Sequence, residues 1–323
     1  MTDTETIRVV TANLRHCEPW PEPGKQANTA IETPSNWEKR ARTAARELAE
    51  LEPDIICLQE VDYRQSRSGR INQLEVVREE LGWPCEQVRF CSFFNGFAEW
   101  GTLPVPALLR RIPAPRFRVV RRGAQVLPVA THTKNATVGS YITGILDRFG
   151  TERPFLGGYG VAILTRFPVL NWRSVSLGAQ PFTMRQGADG RELQLGQVRA
   201  LLAATVQTPA GSIEVGCTHL ELDAVTGRRQ LKHAWNLINE TGNPALLAGD
   251  LNMSSQAVQH TLSLPETATA TGLTIPSDQP RRALDHILVA GAEITAGKPV
   301  RLAVSDHRAL PAVVRIPVIQ SGR

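Results

Sequence analysis

Short apolar runs recur along this chain, and each stops on a residue able to do chemistry. Ile7 to Ala12 ends at Asn13, and Asp54-Ile55-Ile56-Cys57-Leu58 ends at Gln59-Glu60. Ile213 to Thr218 runs into His219, and Leu246-Leu247-Ala248-Gly249 stops at Asp250, with Asn252 two residues on. Val304-Ser305 leads into Asp306-His307. Apolar runs of this length, bounded by turn residues, read as buried strands. A polar residue at a strand end has an ordinary explanation, and Asp or Asn after Gly is a common turn residue. If the runs pack into sheets, however, many such ends converge on one rim. Asp285 differs, because Ala283-Leu284-Asp285-His286-Ile287-Leu288-Val289 places it inside a strand pattern. A buried carboxylate needs a partner, and His307 is the candidate. Neighbours on a strand face opposite ways, so His286 reads as structural.

The mix of residue types narrows the chemistry. Carboxylates and an amide oxygen suit a hard cation such as Mg²⁺, which takes one or two carboxylates and keeps several waters. Two histidines suit proton transfer or contact with a phosphate oxygen. No cysteine joins the set, which argues against zinc. For Glu60 the alternative is a surface residue at a strand end, and for His219 a hydrogen-bonded structural histidine. Arg199 begins a long β-rich segment and reads as one half of a structural ion pair.

Helices are expected where apolar spacing changes to the helical period. Ser35-Asn36-Trp37-Glu38 has the spacing of a capping box, followed by Ala41, Ala44, Ala45, Leu48 and Leu51. Asn72 with Glu75 starts a second helix that Gly82 closes, and a third is expected from Arg228 to about Thr241. Gln180 to Gly196 reads as a loop or hairpin. From about residue 90 to 156 the pattern is irregular, with several prolines and an aromatic cluster at Phe93, Phe94, Phe97 and Trp100. Between Glu99 and Asp147 this stretch has no acidic residue but holds Arg110, Arg111, Arg116, Arg118, Arg121, Arg122 and Lys134. It reads as a basic insertion, either a groove wall for an anionic substrate or a solvated segment whose arginines pair elsewhere.

With 323 residues the chain can form one large domain or two. A net charge of +5 mildly favours anionic partners. The polar start lacks the basic flank and apolar core of a secretory signal, and no apolar run is long enough to cross a bilayer. Five cysteines without a Cys-x-x-Cys pair suggest a reduced, cytoplasmic protein with no disulfide framework. Cys57 and Cys217 read as small core residues.

Taken in order, the motifs resemble those of the endonuclease/exonuclease/phosphatase family, the DNase I-like metal-dependent phosphoesterases. They are Asn13 after a strand, Leu-Gln-Glu-Val at 58–61, Thr-His-Leu at 218–220, Gly-Asp-Leu-Asn at 249–252, Leu-Asp-His-Ile at 284–287 and Ser-Asp-His at 305–307. The resemblance covers most of the chain outside 90–156. It implies one α+β domain over residues 1–323, a four-layer α/β/β/α sandwich of two mainly antiparallel sheets with outer helices. It also implies Glu60 as the main Mg²⁺ ligand, with Asn13 beside it and Asp306 as a further metal-side carboxylate; Mn²⁺ is an alternative ion. Gln59 would support Asn13. Asp250 would orient or deprotonate the attacking water, and Asn252 would hold a phosphate oxygen. His307 would sit near the scissile phosphate with Asp285 fixing its tautomer, and His219 would contact the phosphate or help the leaving group. The motif that supplies a catalytic tyrosine in abasic-site endonucleases is not evident; Tyr141 and Tyr159 are available but unassigned.

The expected activity is hydrolysis of a phosphoester, first of all a phosphodiester, by in-line attack of water, with nucleic acid among the candidate substrates and a monomer as the expected state. A phosphomonoesterase, or a sphingomyelinase-like phospholipase with the aromatic cluster on an exposed edge, is the alternative. A catalytically inactive binding module is the rival from another class; it should have lost some of these residues, and none is missing.

Overall fold

The first strand sets the plan of the molecule. β1 (Thr4–Asn13) alternates, with Ile7 and Val9 on one face and Val10 and Ala12 on the other. Both faces are covered, so the strand lies inside a layered structure. The computed structural model describes residues 4–20, 33–95, 157–178 and 198–318, with the backbone of short strands at 121–122, 125–126, 182–187 and 190–195. Along the chain follow α1 (Pro34–Ala49), β2 (Ile55–Tyr63), α2 (Gln73–Leu81), β3 (Val88–Asn95), β4 (Gly158–Thr165), β5 (Val169–Gly178), β6 (Arg199–Thr208) and β7 (Gly211–His219). Then come α3 (Ala224–Asn239), β8 (Ala245–Asp250), α4 (Ser255–Leu262), β9 (Thr269–Thr271), β10 (Asp285–Ala290), β11 (Glu293–Ala296), β12 (Val300–Arg301) and β13 (Arg308–Pro317).

These strands form two sheets. One has the order β11-β13-β1-β2-β4-β3, with β12 also on β13; the other has the order β9-β10-β8-β7-β6-β5. Each contains one parallel pair, β1 with β2 and β7 with β8. Parallel neighbours require a crossover, and α1 and α3 supply the two. The remaining pairings within these sheets are antiparallel.

The sheets pack face to face. Ile7, Val9, Ile55, Cys57, Val161 and Ile163 of the first meet Leu202, Val215, Cys217, Leu246 and Ile287 of the second in one core. The outer face of the first sheet, with Val10, Ile56, Leu58 and Leu164, is covered by Ala41, Ala45 and Leu48 of α1 and Val77 of α2. That of the second, with Leu201, Ala203 and Leu247, is covered by Leu231, Ala234 and Ile238 of α3 and Val258 of α4. Each buried Leu, Ile or Val contributes roughly 1.5–3 kcal/mol of transfer free energy. The result is the expected four-layer sandwich.

Several local expectations shift. Thr33, rather than Ser35, caps α1: its side chain accepts from the Asn36 N–H at 3.4 Å, and Pro34 takes the first turn. α2 begins at Asn72 and ends at Gly82 (φ 68) as expected. α3 starts before Arg228, because Asp223 accepts from the Thr226 N–H at 2.8 Å. The segment thought irregular from about residue 90 carries β3 as far as Asn95. Phe93 there is 2% exposed in the inter-sheet core, which removes it from any exposed aromatic edge. Phe97, Trp100, Tyr141, the side chain of Phe94 and most of the basic insertion lie outside the described residues. The reading of Gln180 to Gly196 as a hairpin holds, with strands Phe182–Gly187 and Gly190–Leu195 paired. Among the described residues no helix is long and apolar enough to cross a membrane.

Candidate active site

The core-facing register of both sheets runs straight into the site. Ile7 and Val9 are followed on that face by Asn13; Val215 and Cys217 by His219; Leu246 and Ala248 by Asp250. On antiparallel β10, Asp285 precedes Ile287 and Val289 on the same face. His219 is in register with Asp250, and Asp250 with Asp285. The apolar layer thus ends in a polar rim made from the C-terminal ends of the two parallel pairs and the start of β10. Gly249 makes the closest step possible: a Cβ there would lie 1.9 Å from the Thr218 carbonyl oxygen.

Glu60 reaches the rim by a different device. The β2–β4 register shifts between Leu58 and Val61, and Glu60 has φ 55. This bulge adds a residue to β2, so Val61 and Tyr63 return to the helix side while Glu60 turns inward. Gln59, expected to support Asn13, does not touch it through its side chain. Its amide donates to Thr11 Oγ1 and the Cys57 carbonyl, each at 3.1 Å, and approaches Cys217 Sγ at 3.4 Å. Gln59 faces the core because it precedes the bulge.

The side chains from opposite sheets meet across this rim. Asn13 Nδ2 donates to Glu60 Oε1 and to Asp250 Oδ2, both at 3.1 Å. Asn13 Oδ1 accepts the Arg15 N–H at 3.0 Å. Asn13 therefore stands as a clamp that spaces two carboxylates. His219 Nε2 lies 3.5 Å from Asp250 Oδ2 and its Nδ1 4.0 Å from Glu60 Oε1. His307 Nε2 lies 3.7 Å from Asp250 Oδ2, and His307 Nδ1 bonds Asp285 Oδ2 at 2.8 Å. Asp250 Oδ1 accepts the Asn252 N–H at 3.0 Å, which holds Asn252 in a left-handed turn (φ 51). One amide hydrogen of Asn252 goes to the Leu220 carbonyl at 2.9 Å. Asp306 is half-buried, with Oδ1 3.9 Å from Arg15 Nε, and its charge acts on His307. His286 is structural, bonded to the Met253 carbonyl at 2.8 Å. Arg199 lies 3.8 Å from Glu221 and over the Phe93 ring.

Ser305 is a residue whose role the sequence pattern does not announce. Its hydroxyl donates to the Asn13 carbonyl at 2.6 Å and accepts the His307 N–H at 3.0 Å. It ties the β1 end to the turn that carries His307. The Ser-x-His spacing was the available signal, since a serine oxygen commonly accepts the N–H two residues on.

Burial decides the electrostatics. Removal from water pushes Asp250 up to about 7; cationic His307 opposes the rise and Asp285 adds to it. Burial would pull His307 down, but the charge and hydrogen bond of Asp285, with Asp250 behind, push it up to about 10. His219 is held well below the ordinary histidine value by burial, then by Arg199 and His307. The rim thus pairs a protonated imidazole with a neutral one.

Asp250, Asp285 and His307 each offer an atom within 4.8 Å of the others, the spacing of a possible metal site. Two of those groups are already spent on the Asp285–His307 bond, and a protonated ring does not ligate. The side facing Glu60 fits a hard cation better. Glu60 is far more open than Asp250 or Asp285, with 23% of its side chain exposed against 3% and none, and has no Lys or Arg ion pair among the described residues. Burial raises Asp250, and a divalent ion beside it would favour its charged form. These oxygen donors fit the divalent cation on which the family generally depends.

The sequence matches the Endonuclease/Exonuclease/phosphatase family over residues 10–307. No curated protein matches at a significant level. Similar solved structures include an endonuclease/exonuclease/phosphatase from Bacteroides vulgatus, at 15% identity and TM-score 0.55, covering 97% of this chain and 99% of that one. Truncated Caenorhabditis elegans TDP2 has 13% identity and TM-score 0.52, with 96% and 97% covered. A mannosyl-6-phosphatase of Bacteroides thetaiotaomicron has 12% identity and TM-score 0.54, with 95% and 99% covered. At these identities the likeness speaks for the fold, while the family match spans nearly the whole chain. The chain belongs to the endonuclease/exonuclease/phosphatase family and is a phosphoester hydrolase.

Proposed function

We propose that this enzyme hydrolyses a phosphodiester by in-line attack of water, with Mg²⁺ or Mn²⁺ held on the Glu60 side of the rim. The observation that carries the reading is the cross-sheet set Glu60–Asn13–Asp250–His307–Asp285, joined by contacts of 2.8–3.7 Å. Glu60 would hold the cation, with Asn13 between it and Asp250. The bound ion would supply charge neutralisation at a phosphoryl oxygen. Asp250, with a proton affinity near neutrality, accepts the proton of the attacking water. The water oxygen bonds to phosphorus, the ester P–O bond breaks, and the departing oxygen takes a proton from solvent. His307, kept protonated by Asp285, donates to a non-bridging oxygen as charge builds there. Neutral His219 and the second amide hydrogen of Asn252 are further donors on the same rim.

Phe93 lies in the core, so the lipid alternative loses that part of its aromatic edge. All the named groups are present, which disfavours an inactive module. The test is release of p-nitrophenolate from bis-p-nitrophenyl phosphate and from p-nitrophenyl phosphate with Mg²⁺ or Mn²⁺. Wild type should favour the diester, and Asp250→Ala should lose the activity. Equal rates for wild type and variant would remove Asp250 from the mechanism; faster monoester turnover would move the assignment to a phosphomonoesterase.

A further inference from the structure

Beyond the bulge, β2 carries a second built feature facing the same crevice. Asp62 follows Glu60 on the inward face and is fully buried, opposite Tyr159 on β4. Its carboxylate accepts from Arg67 Nε at 2.8 Å, from Arg67 Nη2 at 2.7 Å and from the Ser68 hydroxyl at 2.9 Å. The Arg67 guanidinium lies over the Tyr159 ring, 5.0 Å from its centroid. Its side edge is fixed by Asp62 and its face by Tyr159, which leaves the Nη1–Nη2 end turned away from Asp62. The Arg67 side chain keeps 29% exposure while Asp62 has none. Glu18, the nearby acid that might have taken this edge, is paired with Arg15 at 3.1 Å and lies 3.6 Å from His16. Arg199, the other guanidinium of this wall, has 7% of its side chain exposed and faces Glu221. Arg67 and Glu60 are close enough for their charges to interact.

We propose that Arg67 is a specificity-determining residue that takes a second anionic group of the substrate, carried beside the scissile phosphoester. A planar guanidinium locked on one edge and one face, with its end edge unbonded among the described residues, suits bidentate recognition of phosphate or carboxylate. A partner for Asp62 alone would need neither the stacking on Tyr159 nor an exposed edge. The ligand class is a phosphoester bearing a further phosphate or carboxylate, as a nucleotide with a second phosphate does. This inference rests on the phosphoester reading above, but its binding test does not.

The experiment compares calorimetric binding of thymidine 3′,5′-bisphosphate and thymidine 5′-monophosphate in Ca²⁺. Alongside it, kcat/KM is compared for the p-nitrophenyl ester of thymidine 5′-phosphate with and without a 3′-phosphate. Wild type should prefer the member carrying the second phosphate in each pair about tenfold or more. Arg67→Lys, which keeps the charge but loses the fork, should bring both ratios toward one. Because Arg67→Gln alone would strand a buried Asp62, the neutral pair Asp62→Asn with Arg67→Gln serves as the second variant and should do the same. Each ratio compares two ligands on one sample, so partial unfolding cancels. A wild type with no preference in binding, or ratios unchanged in both variants, overturns the inference. Preserved binding selectivity without turnover of any ester overturns the hydrolase reading instead and leaves Arg67 as the anion subsite.

Discussion

Asp285 Oδ2 stands 2.8 Å from His307 Nδ1, although Asp285 opens a strand of one sheet and His307 leads into a strand of the other. The bond fixes which ring nitrogen faces Asp250 and keeps the imidazole charged. Asp285→Asn should therefore lower kcat by about 10²–10³-fold, within the range for losing a positioned proton donor. KM should change much less. Steady-state kinetics on bis-p-nitrophenyl phosphate, with a melting curve to confirm the fold, would check this.

The same pair predicts how stability changes with pH. His307 is raised from the ordinary 6.5 to about 10, so its contribution is complete below about 6.5 and is lost as pH rises through about 10. Between these values the native state holds a proton that the unfolded chain has released, so stability falls by up to about 1.4 kcal/mol per pH unit from this group. Asp250 contributes in the opposite region, losing stability as pH rises from 3.8 to about 7. In urea unfolding at pH 8 to 9.5 the buried thiols of Cys17, Cys57 and Cys91, also pushed up by burial, add the same slope to both proteins, so the slope should be flatter in Asp285→Asn than in wild type by the His307 share.

Glu60 is the carboxylate that removal should silence most selectively. Wild type should gain about 2.7 kcal/mol of stability from Mg²⁺ or Mn²⁺ at a hundred times its Kd. Glu60→Gln should gain almost nothing at the same concentration while folding normally in its absence. Denaturant titrations with and without the ion would show the difference.

Gly249 predicts a backbone effect. A methyl group there would meet the Thr218 carbonyl at 1.9 Å on a residue with φ 152. Gly249→Ala should cost about 1–3 kcal/mol as β7 and β8 are pushed apart. Activity should fall further than stability explains, because the next paired residues are His219 and Asp250. Both quantities can be measured on one preparation.

The ends of β1, β7 and β8 were legible because the chemistry continues the core-facing alternation. Asn13, His219 and Asp250 each fall in phase with the apolar residues before them. The bulge at Gln59-Glu60 was not, since it uses no glycine to announce φ 55; without it, Gln59 and Glu60 could not be assigned their different faces. β5 had no usable pattern, because an edge strand with Asn171, Arg173, Ser174 and Ser176 needs little apolar cover. Arg67 was hidden for a related reason. Its meaning depends on Asp62 being buried, and Val-Asp-Tyr in sequence does not say which face Asp62 occupies. Asp306 shows the reverse: it adjoins His307 in sequence, yet faces Arg15.

Because Asn13, Glu60 and His307 ride on one sheet and His219, Asp250 and Asp285 on the other, neither half of the molecule owns the reaction centre. A slide of the two slabs by an ångström would part proton donor from acceptor while every ladder and helix stayed intact. Warming or mild denaturant should therefore extinguish turnover before circular dichroism registers any change, making enzymatic rate the finer gauge of how tightly the halves are seated.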